Sequence, residues 1–267
     1  MSLRNTVRAM PVVLKVGFSE AVAYRAEFMI WVLTTTMPLI MLALWSAVAA
    51  EAPVGRFGQT QFTAYFLASF IVRQLTSSWS AWQMNYEVRH GVMSMRLLKP
   101  LHPLWAYAAE NWAALPLRLV VAIPLAAVAL AIVGAGQLPS DLLTWLAWVA
   151  SMAGAWLITF LVSVGVGSLS FHIESSVKVL DVWFAVFFVM SGYLIPIELF
   201  PGPMRTIADW LPFRYQLGLP VEILTRAYDA RGAWWMVARQ WGFVVLTWAF
   251  AKVLWRTGVR RFEAFGG

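Results

Sequence analysis

Six apolar stretches divide this chain, and each is long enough to cross a hydrocarbon layer, which takes about 20 helical residues. They run from about Phe28 to Ala50, Phe62 to Trp82, Trp112 to Val133, Leu142 to Leu169, Val179 to Leu199 and Trp234 to Trp255. A water-soluble domain has nowhere to put so much apolar surface. The chain is 61% hydrophobic and 12% charged, whereas soluble domains carry about 25% charged residues and must keep their outside wetted. Sixteen Trp and seven Tyr add rings that favour the membrane interface. The expected fold is an all-α integral membrane protein with six transmembrane helices. It forms one membrane domain over residues 1–267, without internal repeat or soluble module.

The N-terminus is expected to lie on the membrane surface. Leu3, Val7, Met10 and Leu14 recur at helical spacing beside Arg4, Arg8 and Lys15, which predicts an amphipathic interface helix within residues 1–26. Pro11, Lys15 and Gly17 interrupt this stretch, so it does not read as a signal peptide. Placing the N-terminus inside puts twelve Lys and Arg on the inner side and five on the outer. The positive-inside bias therefore predicts that both termini are cytoplasmic. The net charge of +7 comes from basic residues scattered singly between apolar runs. That pattern points to anionic lipid as a partner and argues against nucleic acid. With no cysteine, disulfides, thiolate metal sites and a cysteine nucleophile are excluded.

Two connections do not read as ordinary loops. Residues 83–109, on the cytoplasmic side, mix helix formers with Arg89, Arg96, Lys99 and the break Pro100-Leu101-His102-Pro103. Residues 196–231, outside, hold Pro196, Pro201, Pro203, Trp210, Pro212, Phe213 and Tyr215. That is too apolar for a solvated loop, and a re-entrant helical hairpin covered by protein is expected.

Little here resembles an active site. His90, His102 and His172 all fall in cytoplasmic connections, no HExxH pair or intramembrane carboxylate cluster occurs, and no GxxxxGK[ST] loop is present. The expectation is a non-catalytic chain with no cofactor or metal of its own. Polar residues inside the second span are the exception, because charge in a membrane is costly. Arg73, Gln74 and Ser77 are candidates for lining a translocation path; Arg73 has the alternative of pairing with Glu110 or with another subunit. Arg118 is expected to snorkel, and Asp181 to favour the N-terminus of the fifth span. Ser151, Gly154, Ala155, Ser163, Gly165 and Gly167 give the fourth span a small-residue surface for close helix packing.

Glu87 to Pro103 reads Glu-Val-Arg-His-Gly-Val-Met-Ser-Met-Arg-Leu-Leu-Lys-Pro-Leu-His-Pro. This resembles the cytoplasmic segment of bacterial ABC type-2 exporter permeases. Ser191-Gly192-Tyr193-Leu194-Ile195-Pro196, continuing through Leu199-Phe200-Pro201 to Leu211-Pro212-Phe213, is similar to the extracellular hairpin before the last span of that family. The resemblance implies a multi-pass permease of the bacterial plasma membrane, half of an exporter with two permeases, identical or homologous, and two ATPase subunits. ATP and Mg would be bound by the ATPase. It also implies a coupling helix between spans two and three that docks on the ATPase, placed here on Tyr86, Glu87, Val88, Arg89, Val92, Met93 and Arg96. Glu87 and Arg89 would be charged contacts, and Val88, Val92 and Met93 apolar ones.

Two other functions compete with this one. An ion-coupled secondary carrier needs titratable groups and broken helices near the midplane, where the sequence offers little but Arg73. An intramembrane enzyme needs convergent catalytic groups, which the sequence lacks.

Overall fold

The computed structural model describes residues 3–23, 35–134, 136 and 138–262. The start of the first expected span, residues 28–34, lies outside them. In chain order the helices are α1 (Leu3–Ala23), α2 (Met37–Glu51), α3 (Gln59–Thr76), α4 (Ser80–Arg89), α5 (Val92–Leu98), α6 (Pro103–Ala113) and α7 (Leu115–Val133). There follow α8 (Leu142–Ser168), α9 (Ser176–Met190), α10 (Gly202–Asp209), α11 (Pro212–Gln216), α12 (Gly218–Leu224) and α13 (Ala230–Arg261). Among the described residues there is no strand, only an isolated bridge between Val54 and Phe57 in the turn joining α2 to α3.

α8 is the hub, packed against α13, α4, α9, α3, α11 and α12. Its small residues make this possible. A Cβ on Gly154 would lie 2.7 Å from Gln240 of α13, one on Gly165 would lie 2.7 Å from Phe250 of α13, and one on Gly167 would lie 2.9 Å from Met84 of α4. Two faces of one helix thus admit two different neighbours at close range, as small-residue stripes allow in membranes. α1 lies along α6, where a Cβ on Gly17 would come within 2.9 Å of the Ala113 methyl.

Polarity is inverted relative to a soluble protein. Arg118, Asn111, Ser151, Ser163, Gln240 and Thr247 are buried, while Val120 and Ile123 of α7, Val182 of α9 and Val245 and Leu246 of α13 are each more than 60% exposed. Among the described residues, two stretches, Pro103–Val133 and Leu142–Phe171, are long and apolar enough to cross a membrane by length and composition. Only 11% of the apolar window in the first is covered by the rest of the chain. Apolar surface on that scale is stable only against lipid or protein.

The element boundaries differ from the sequence expectation in three places. The second apolar run is not one helix: α3 stops at Thr76, Ser77 is extended with ψ 149°, and α4 begins at Ser80. The freed carbonyls of Gln74 and Ser77 are met by the Arg118 guanidinium at 3.1 and 2.9 Å, which satisfies the break internally. Arg118 is 4% exposed, so it turns inward and does not snorkel. The fifth run ends early, at Met190, because Gly192 takes φ 87°; the turn carbonyl of Gly192 accepts the Tyr65 hydroxyl at 2.8 Å. The sixth run extends to 32 residues in α13 and carries Arg239 inside it. Arg239 reaches up to donate to the Asp209 carbonyl at 3.0 Å.

Residues 196–231 form a 3-10 turn followed by α10, α11 and α12. α12 closes with the Arg226 N–H on Ile223 O and the Ala227 N–H on Glu222 O, a Schellman closure that normally puts glycine at the left-handed position. Here Arg226 occupies it with φ 58°, at a cost of about 1–2 kcal/mol for a residue with a Cβ.

Candidate functional site

Beyond the break at Ser77 to Trp79, the chain builds a compact helical corner. α4 turns into α5 at Gly91, whose φ of 71° suits a residue without Cβ. His102 caps α6, its ring nitrogen accepting the Leu104 N–H at 3.3 Å. The three helices enclose a charged network. Glu87 of α4 accepts from Arg96 of α5 at 2.6 Å and, closely, from the Tyr107 hydroxyl of α6. Arg96 also donates to Glu110 at 2.9 Å, and Gln83 donates to the same carboxylate at 2.7 Å. The Arg96 guanidinium lies 4.3 Å from the Tyr107 ring centroid.

One arginine therefore ties two carboxylates and three helices together. Burial alone would lower the Arg96 pKa, but the Glu110, Tyr107 and Glu87 side chains outweigh it and hold the guanidinium above its ordinary value. The planar fork of arginine fits this double engagement, and a lysine could not reproduce it.

The coupling residues expected from sequence are divided by this corner. Glu87, Val88 and Met93 are buried at 5%, 6% and 0% exposure, and Arg96 is turned inward. They hold the corner together. Tyr86, Arg89 and Val92 face outward, joined by His90, Met95, Leu98 and Lys99, with Leu98 81% exposed. Arg89 reaches Glu174 at 3.8 Å, an exposed pair. His90, Met95 and Leu98 did not stand out from the sequence, although their positions on α4 and α5 follow from the turn at Gly91.

The candidate path residues diverge as well. Arg73 is half-buried between α3 and α9, its guanidinium 5.1 and 5.5 Å from the ring centroids of Phe187 and Phe184. Glu110 is committed to Arg96 and Gln83, and among the described residues no carboxylate meets Arg73. Gln74 donates to the Thr35 hydroxyl at 2.6 Å. Ser77 lies in the break itself, its carbonyl held by Arg118. So the three are neighbours in sequence but face different surroundings.

A second charged cluster lies at the opposite end of α3. Arg214 is 2% exposed and donates to Asp209, to Glu222 at 2.8 Å and to the Tyr228 hydroxyl at 2.6 Å. Tyr228 in turn donates to Glu222 at 2.9 Å. Burial, then the Glu222 carboxylate, pushes the Tyr228 phenol far above its usual range. Gln240 of α13 donates to Ser151 O at 2.9 Å and Tyr215 O at 2.8 Å, stitching α11 to α8 and α13. Nothing in sequence marked Arg214 or Gln240, because their partners come from separate helices.

No curated protein matches the chain. The family model described as "ABC-2 family transporter protein" matches residues 37–266, which takes in the broken second run, the helical corner of α4–α6 and the short helices α10–α12. The chain thus belongs to the ABC-2 transporter family, as a transmembrane permease of an ABC transporter.

Proposed function

We propose that this chain is the permease half of an ATP-driven exporter in a bacterial plasma membrane, crossing it six times with both termini cytoplasmic. The whole chain acts as one permease domain, with α1 on the inner surface and α10–α12 inserted from the outer one. Two such permeases, identical or homologous, would enclose the path, and two ATPase subunits binding ATP and Mg would drive it.

The observation that carries this reading is the inner corner. Its inside is locked by Arg96, while its outside presents Tyr86, Arg89, His90, Val92, Met95 and Leu98 with no covering element among the described residues. An exposed apolar patch rimmed by basic groups is the mark of a partner surface. A corner stiffened by a buried ion network can transmit a push as a rigid body. The ATPase is therefore placed on the outward side of α4 and α5, with Glu87, Val88, Met93 and Arg96 supporting that surface from behind. Arg73, a half-buried cation backed by two aromatic rings and meeting no carboxylate among the described residues, is assigned to the path, where it suits an anionic or amphipathic cargo.

The test is co-purification of the ATPase with the permease from native membranes, combined with a transport assay. Met95→Asp and Leu98→Asp change exposed side chains, so the permease should still insert while losing the ATPase and transport. Arg73→Gln should keep the ATPase and alter which substrates are exported. Full complex formation by both aspartate variants would reject the docking surface. Unchanged selectivity in Arg73→Gln would return that residue to a structural role.

A further inference from the structure

At the end of the bundle away from the inner corner, three short segments converge around an open cavity of about 420 Å³. The turn between α2 and α3, closed by Val54 and Phe57 exchanging backbone hydrogen bonds of 2.9 and 3.0 Å, presents Arg56. The 3-10 turn at Ile197–Leu199 presents Glu198, α10 presents Arg205, and the end of α12 presents Arg226. Arg56 and Glu198 form a two-pronged pair at 2.5 and 2.7 Å, and the Glu198 hydrogen bond leads the causes that raise the Arg56 pKa. That pair cancels its own charge and makes a fixed wall.

Arg205 and Arg226 remain. Arg226 donates to the Gly136 carbonyl at 2.8 Å, which aims its guanidinium but does not neutralise it. The Arg205 side chain makes no hydrogen bond or ion pair among the described residues. The Tyr228 hydroxyl, also at the cavity, is turned inward to Glu222. The lining thus carries three guanidiniums against one carboxylate, an excess of two positive charges facing an open volume. Arg226 also holds a backbone position that glycine would occupy without strain. A strained residue that glycine would relieve is a pointer to a job for its side chain.

We propose that this cavity binds a phosphate-bearing anion, the headgroup of an anionic lipid or a free phosphate ester, between Arg205 and Arg226. Guanidinium forks match phosphate oxygens bidentately, and the volume lies within the range of ordinary small-ligand sites, about 300–1,000 Å³. The site is separate from the ATPase surface and stands whether or not that surface is correctly placed.

Purified protein, with whatever subunits accompany it, would be titrated with short-chain phosphatidylglycerol, with glycerol 3-phosphate, and with a short-chain diacylglycerol lacking phosphate. Binding is read by calorimetry and by thermal shift. Phosphatidylglycerol is expected to bind and the diacylglycerol not to; binding of glycerol 3-phosphate as well identifies a free ester as sufficient, whereas its failure assigns the site to lipid. Arg226→Gly should weaken binding at least about tenfold, a typical loss for a charged hydrogen-bond partner, while the ligand-free protein melts no lower than wild type because the left-handed strain is relieved. Arg205→Ala should weaken binding by a similar factor. The proposal is overturned if neither phosphate probe binds, or if the two variants bind them as wild type does.

Discussion

A single arginine decides the integrity of the inner corner. Arg96 has 14% side-chain exposure and faces Glu87 and Glu110, at 7% and 19%. Replacing it with methionine leaves two carboxylates sharing a poorly hydrated site, and breaking a buried pair in that way costs about 3–5 kcal/mol. Glu87→Gln should cost less, because Arg96 keeps Glu110 and Tyr107 keeps a hydrogen-bond acceptor. Thermal denaturation in detergent should therefore rank wild type above Glu87→Gln and Glu87→Gln above Arg96→Met; a reversed order of the two variants would contradict the network as described. From the sequence alone, Glu87 and Arg96 stand out as contacts for an external partner. Their true neighbours lie 9, 14 and 20 residues apart on three helices, and no local spacing rule pairs them. Arg73 was legible for the opposite reason, since a charge within an apolar run announces itself.

At the scale of elements, glycines on long helices have two opposite meanings, and the structure separates them. Gly167 of α8 abuts α4, where a new Cβ would meet Met84 and come within 3.1 Å of the Ala81 backbone. Gly242 of α13 is exposed and has nothing within 4 Å. Gly167→Val should destabilise by about 1–3 kcal/mol through overpacking and pry the inner corner from the hub. Gly242→Ala should stabilise by up to about 1 kcal/mol through helix propensity. Melting temperatures of the two variants should move in opposite directions. The small-residue stripe of the fourth apolar run was readable from its spacing, and the helix there, Leu142–Ser168, ends one residue short of the expected boundary. The break after Thr76 was not readable. No proline or glycine marks it, and it persists because Arg118, more than forty residues later in the chain, supplies the missing donors. The early end of α9 was signalled by Gly192, but apolar residues on both sides hid it.

The whole molecule makes a topological prediction that the chain is well suited to test. It contains no cysteine, so a single introduced thiol reports one position without background. Leu98 on α5 and Ile207 on α10 are 81% and 53% exposed and lie at opposite ends of the bundle. Leu98→Cys should react with an impermeant maleimide only from the cytoplasmic side of sealed vesicles, and Ile207→Cys only from the other. Labelling of both from one side would refute the orientation proposed above. Composition alone disclosed the membrane character, because burying the polar groups and exposing the apolar ones is what lipid demands. Which helices touch which was beyond composition, since apolar residues in a bilayer gain nothing from choosing one helix over another.

The clasp that Arg118 places on the interrupted helix bears on how the molecule can move. Straightening or sharpening the bend at Ser77 strips a charged donor from two carbonyls at once, each such bond contributing about 1.5–3 kcal/mol. The joint therefore behaves like a ratchet pawl, which resists small loads and yields only above a threshold. Thermal jostling in the resting membrane should leave the bend in place, while a concerted pull on α4 and α7 together can release it.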